Sequence, residues 1–197
     1  MINGESDKPT PQLQAPIVRL VANPTWNVPE GIGIKELSTK SQSWLSENGY
    51  VQKNGKWVQQ SGPKNSLGLV KFDMQDDEAI YLHDTPAKSL FALSDRHRSH
   101  GCVRVENAVQ FATALAEQEG ILDQFQQAMQ QKDEKFIKLP KPIPVRLLYQ
   151  TAYWDGSRLQ FRPDVYGWDE NVAKALELAP GPPQKIPQPE SSDDIGP

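Results

Sequence analysis

The 197-residue chain carries 21 Lys and Arg against 25 Asp and Glu. Its formal charge of -4 is too mild for an electrostatic footprint on nucleic acid or anionic lipid, so neither partner is implied. With 37% hydrophobic residues and no apolar run of about 18 residues, it reads as one folded domain with a real core and no membrane-crossing helix.

The stretch 1–16 lacks the basic start, apolar middle and small-residue cleavage site of a secretory leader. Its Pro9, Pro11 and Pro16 suggest an extended polar lead into a short strand over 17–21. Leu37, Ser41, Trp44 and Leu45 have helical spacing, which predicts a helix over 34–48 ending at Asn48-Gly49. The Asn54-Gly55 pair predicts a hairpin over 50–58, because that dipeptide readily takes the positive backbone dihedrals of a tight turn. Helix and hairpin together suggest a small cap. Strands are expected over 67–72 and 79–83, separated by an acidic turn.

The apolar repeat of 106–129 predicts helix interrupted at Gly120, and its stripe reads as a core-facing surface. A strand over 145–153 should turn at Asp155-Gly156 into another over 158–161, the two closing the sheet. A short helix is predicted over 169–178. The Pro-rich, acidic stretch 179–197 holds too few apolar residues to fold.

The chemistry concentrates in one window. All three histidines, His83, His97 and His100, lie with the only cysteine, Cys102, between positions 83 and 102. A lone cysteine cannot close an internal disulfide, so it is either a small apolar filler or a thiol available for reaction. A free thiol titrates near 8.5 and needs a base or cationic neighbour to act as a nucleophile, a task suited to histidine near neutral pH. In Ser99-His100-Gly101-Cys102-Val103-Arg104 the glycine permits close approach of backbone and substrate, and successive amides offer an oxyanion cradle. A helix opening near Glu106 would add its positive end, favouring thiolate.

Tyr81-Leu82-His83, fifteen intervening residues, then Ser99-His100-Gly101-Cys102-Val103-Arg104 resembles the signature of L,D-transpeptidase catalytic domains, also called YkuD domains. Four further stretches resemble the large periplasmic Gram-negative branch that carries a capping subdomain. They are Asn23-Pro24-Thr25-Trp26-Asn27-Val28-Pro29, Gly62-Pro63-Lys64-Asn65-Ser66-Leu67-Gly68, His83-Asp84-Thr85-Pro86, and the run from Leu159 to Gly167. The resemblance implies a mainly β fold with flanking helices, an antiparallel β-sandwich with a small α/β cap at about 32–60. It assigns 1–178 to the catalytic domain and leaves 179–197 as a tail. It further implies two sandwich strands and upstream domains ahead of Ile2-Asn3-Gly4, where this chain begins.

By the same resemblance, Cys102 is the nucleophile and His83 its base, with the backbone carbonyl of Asp84 orienting the ring. Backbone amides of His100, Gly101 and Cys102 would hold the oxyanion. Ser99 belongs to this substrate and oxyanion group, and Tyr81 and Arg104 would line the groove. Peptidoglycan stem peptides would be the substrates, carbapenems the acylating inhibitors and the periplasm the location. No metal or cofactor is implied.

Blander readings stand beside these. His97 reads as a solvated loop residue, and His100 as either site wall or structural hydrogen-bonder. Asn65 and Asp84 suit turns. Hydrolysis in place of transfer would make an L,D-carboxypeptidase or endopeptidase. The same four His and Cys side chains could instead serve a metal-binding module, though their spacing matches no standard zinc knuckle. An inactive peptidoglycan-binding domain is the remaining alternative.

Overall fold

Alternating burial along the strands decides which side chains meet the core and which are left for the site. A computed structural model describes residues 1–179 and 196–197. In chain order they form β1 (Asn3–Gly4), β2 (Leu13–Ala22), β3 (Trp26–Asn27), α1 (Glu30–Lys35), a 3-10 turn (Leu37–Thr39), α2 (Gln42–Glu47), β4 (Tyr50–Lys53), β5 (Lys56–Gln59), β6 (Val70–Met74) and β7 (Leu82–His83). A second 3-10 turn (Lys88–Ala92) precedes β8 (His97–Ser99), β9 (Val103–Arg104), α3 (Ala108–Gln118), α4 (Leu122–Gln130), β10 (Lys135–Leu147), β11 (Ala152–Trp154), β12 (Leu159–Phe161) and α5 (Asp169–Ala175). This is the expected mainly β class with flanking helices.

The main sheet runs β10-β2-β6-β7-β9, antiparallel except for the parallel pair β7–β9. One face packs on α3 and α4. Ala108, Ala112 and Ala116 recur every four residues along α3, so a buried stripe of methyl groups lets the helix lie close to Val70, Phe72 and Leu82. Phe125 of α4 fills the same core, and burying it and Phe72 contributes about 1.5–3 kcal/mol each.

Helix and hairpin signals between residues 26 and 59 assemble the cap, whose sheet β3-β5-β4 encloses a second apolar cluster around Trp26, Leu37, Leu45 and Tyr50. The hairpin turns at Asn54 (φ 51°) and Gly55 (φ 77°), as the sequence predicts. The single helix expected over 34–48 is instead α1, a 3-10 turn and α2. Ser38-Thr39-Lys40-Ser41 is poor in strong helix formers, and the Ser41 hydroxyl caps α2 by accepting from the Trp44 amide at 3.2 Å.

Three strand expectations shift. β6 and β7 occupy Val70–Met74 and Leu82–His83, narrower and displaced from 67–72 and 79–83. The strand expected at 145–153 is β10, which starts ten residues earlier and contains Pro140, Pro142 and Pro144. Prolines lack an N–H for a ladder, but β10 is an edge strand paired only with β2, and the register breaks between Lys138 and Ile143, where two of them sit. The same prolines leave the outer edge short of donors. Consistently, β11 and β12 pair only with each other and do not close the sheet.

The division at Gly120 holds, with α3 ending before it and α4 starting after it. α5 is shorter than the predicted 169–178, the backbone turning left-handed at Glu177 (φ 55°). Most of the expected tail, 180–195, lies outside the described residues, whereas Gly196 and Pro197 are buried.

Candidate active site

The parallel pair β7–β9 builds the site. Its register, Leu82 opposite Val103 and His83 opposite Arg104, sends Leu82 and Val103 into the core. By alternation, Tyr81, His83, Cys102 and Arg104 share the opposite face, with His83 and Cys102 as diagonal neighbours across the ladder. Residues separated by eighteen positions of chain are thereby gathered into one patch.

His83 is fully buried and its Nδ1–H donates to the Asp84 carbonyl at 2.5 Å. A carbonyl can only accept, so the proton sits on Nδ1 and Nε2 keeps its lone pair; that nitrogen has no hydrogen-bond partner among the described residues. Burial, reinforced by the charges of Arg104 and Lys71, lowers the His83 pKa to about 3 against the opposing pull of the Asp84 carbonyl. The imidazole is therefore neutral in the physiological range, as a base must be.

Cys102 is 7% exposed. Burial pushes its thiol up, opposed by donors from the Tyr81 amide and hydroxyl and by the positive charge of Lys71. Thiol and imidazole are both neutral at rest. The sequence reading of a thiolate helped by a helix end is corrected here: β9 intervenes, and α3 begins only at Ala108.

Ser99 crimps the Cys102 loop. Its buried hydroxyl donates to the Cys102 carbonyl at 2.5 Å and accepts from the Gly101 amide at 3.2 Å. Ser99→Ala strands both groups, and unfolding in urea is expected to show a loss of about 2 kcal/mol. Parent-like stability in that variant would contradict the crimp. Gly101 takes φ +117°, a conformation other residues rarely adopt. A Cβ there would meet nothing closer than 3.7 Å, so the backbone dihedral, not close packing, demands glycine.

Tyr81 packs against the cap cluster, with Lys71 Nζ 4.4 Å from its ring centroid and the His83 ring 5.7 Å away. Arg104 is buried and directs Nη2 to the Arg98 carbonyl at 3.5 Å. The Asp84 carboxylate turns away from the histidine, accepting from the Leu69 amide at 3.0 Å and pairing with Lys88. A cavity of about 520 Å³ opens onto Cys102, walled by Ile32 and Glu36 of the cap, by Ile80 and Tyr81, and by His100.

A family model for the L,D-transpeptidase catalytic domain, YkuD, matches residues 1–122. The chain belongs to this family. It is also 29% identical over 196 residues to a Haemophilus influenzae protein provisionally named as an L,D-transpeptidase, an alignment covering 87% of this chain and 40% of that protein. The chain thus spans about two-fifths of the length of the curated relative it matches.

Within this YkuD domain His97 lies apart from the site. It sits on β8, not in a loop, where its ring pairs with Asp95 at 3.0 Å and packs edge-on against Tyr166. Among the described residues no three His, Cys, Asp or Glu side chains gather as a metal site. His100 does line the cavity, and its Nε2–H donates to Glu36 at 2.8 Å.

Sequence reasoning missed three contributors. Glu36 is indistinguishable from any solvated charge until the cap folds over the site. Thr10, read as part of a polar lead, props the Cys102 loop by donating its hydroxyl to the Gly101 carbonyl at 2.8 Å. Tyr166 holds that lead in place, its hydroxyl donating to the Gly4 carbonyl at 2.8 Å. The stretch from Leu159 to Gly167 stands out by resemblance, but no local signal ties it to the Cys102 loop.

Proposed function

We propose that this domain is a cysteine acyltransferase of the L,D-transpeptidase type, acting on peptidoglycan stem peptides outside the cytoplasmic membrane. Cys102 attacks the carbonyl between the L- and D-centres of a donor stem, and Nε2 of His83 takes the thiol proton as the carbon–sulfur bond forms. Collapse of the tetrahedral intermediate breaks the amide bond, and the same proton leaves with the D-amino acid amine. An acceptor amine then attacks the thioester, gives its proton to His83, and releases Cys102, whose sulfur recovers that proton.

The reading is supported above all by the shared face of Tyr81, His83, Cys102 and Arg104, with an imidazole that burial keeps neutral. With the Gly101 amide tied to Ser99, the amides of His100 and Cys102 remain for the oxyanion. Asp84 serves through its main-chain carbonyl, which sets the tautomer. Ser99 shapes the loop, and Tyr81 and Arg104 form the groove.

Incubating the protein with a tetrapeptide stem and an amine acceptor, then separating products by mass, tests this directly. Release of the terminal D-amino acid together with a cross-linked product is expected. Release without cross-linking would replace the transpeptidase by an L,D-carboxypeptidase, and no turnover by folded protein would remove both.

A further inference from the structure

Gly196 and Pro197 are buried, whereas Leu176 and Leu178, near the last residues described before them, are 63% and 61% exposed. The dipeptide occupies the site itself. His100 donates its Nδ1–H to the Gly196 carbonyl at 2.7 Å while its Nε2–H donates to Glu36 of the cap at 2.8 Å. Both ring nitrogens thus face oxygen atoms, and the Glu36 carboxylate and the peptide carbonyl clamp the ring from opposite sides.

Gly196 fits because it has no side chain. A Cβ there would stand 2.9 Å from Arg104 Nη2 and 3.5 Å from the Ser66 Cβ, and Arg104 is itself buried. Pro197 shares the cavity with Tyr81 and Cys102. Pro197 thus stands beside Cys102 in the cavity that a stem peptide would enter.

We infer that the Gly196–Pro197 segment is a ligand of the cleft in cis, gripped by the Glu36–His100 pair, and that its occupancy blocks access to Cys102. The ligand chemistry is a backbone carbonyl on a residue without a side chain, followed by a proline ring. Glu36 acts here as a positioning residue, holding His100 toward the peptide. The contact does not depend on which acyl transfer Cys102 performs.

Cys102 is the only cysteine, so maleimide labelling followed by intact mass reads its accessibility without any turnover assay. Gly196→Phe cannot seat against Arg104, and its labelling is expected to run about tenfold faster than the parent's, as for a blocking segment bound about nine-tenths of the time. Glu36→Gln, which weakens the clamp from the cap side, is expected to accelerate labelling by a smaller factor. Circular dichroism of both variants should match the parent, since neither residue lies in the core. Parent-like labelling of correctly folded Gly196→Phe overturns the proposal. Protection of this kind in a protein that never acylates on stem peptides would leave the blocking contact standing and remove the transpeptidase reading instead.

Discussion

Cys102→Ala is expected to abolish covalent capture of acyl donors. Incubated with a carbapenem or a stem peptide, the parent should gain the mass of one acyl group on Cys102, and the variant none. Turnover should fall about 10⁴-fold or more, because residues acting as one unit lose most of their contribution when the nucleophile goes. The change removes only a sulfur from a small buried side chain, so the fold should survive and the comparison remains clean. An adduct of equal yield on the alanine variant would place the chemistry elsewhere in the chain. The thiol is neutral at rest, so acylation should depend on proton transfer to His83 within the substrate complex, and not on a preformed ion pair.

His83 also couples the site to the stability of the whole domain. In the unfolded chain its imidazole titrates near 6.5, whereas in the folded protein burial lowers that value to about 3. Between those two values the unfolded state binds a proton that the folded state refuses. Stability is therefore full above about pH 6.5 and is lost progressively as pH falls toward 3. At pH 4 the loss amounts to about 3 kcal/mol as an upper bound. His83→Gln can still donate to the Asp84 carbonyl but cannot take up a proton, so this acid-linked loss should vanish while turnover drops about a thousandfold. Urea unfolding at pH 7 and pH 4 measures the first effect. Parallel acid losses in parent and variant would show that other groups, and not this imidazole, govern acid sensitivity.

Strand periodicity and a turn pair were enough to place the cap hairpin, and the break at Gly120 was visible because a glycine with nothing helical to gain sits between two apolar repeats. Other elements were misread for identifiable reasons. The prolines of β10 argue against a strand in any local window, yet an edge strand tolerates them where its outward groups have no partner to serve. The cap helix was drawn too long because its apolar spacing continues through residues 37–41, where serine and threonine hydroxyls compete for the backbone and Ser41 restarts the helix. The hairpin over 152–161 was recognised, but which sheet it joins depends on an edge that only the folded β10 defines.

What the sequence by itself determined is the chemical content of the site: a histidine, a thiol, a glycine-bearing loop and their order along the chain lie within residues 81–104, because the two paired strands that carry them fall within one short stretch of chain. Tertiary structure alone decided which distant groups complete it. Glu36 arrives with the cap, Thr10 props the Cys102 loop and is itself held by Tyr166 from far along the chain, and Gly196 enters the cleft from beyond every folded element described before it. Each acts through one polar contact formed across a large sequence separation, and a single hydrogen bond of that kind leaves no periodicity or spacing for a reader of the chain to find.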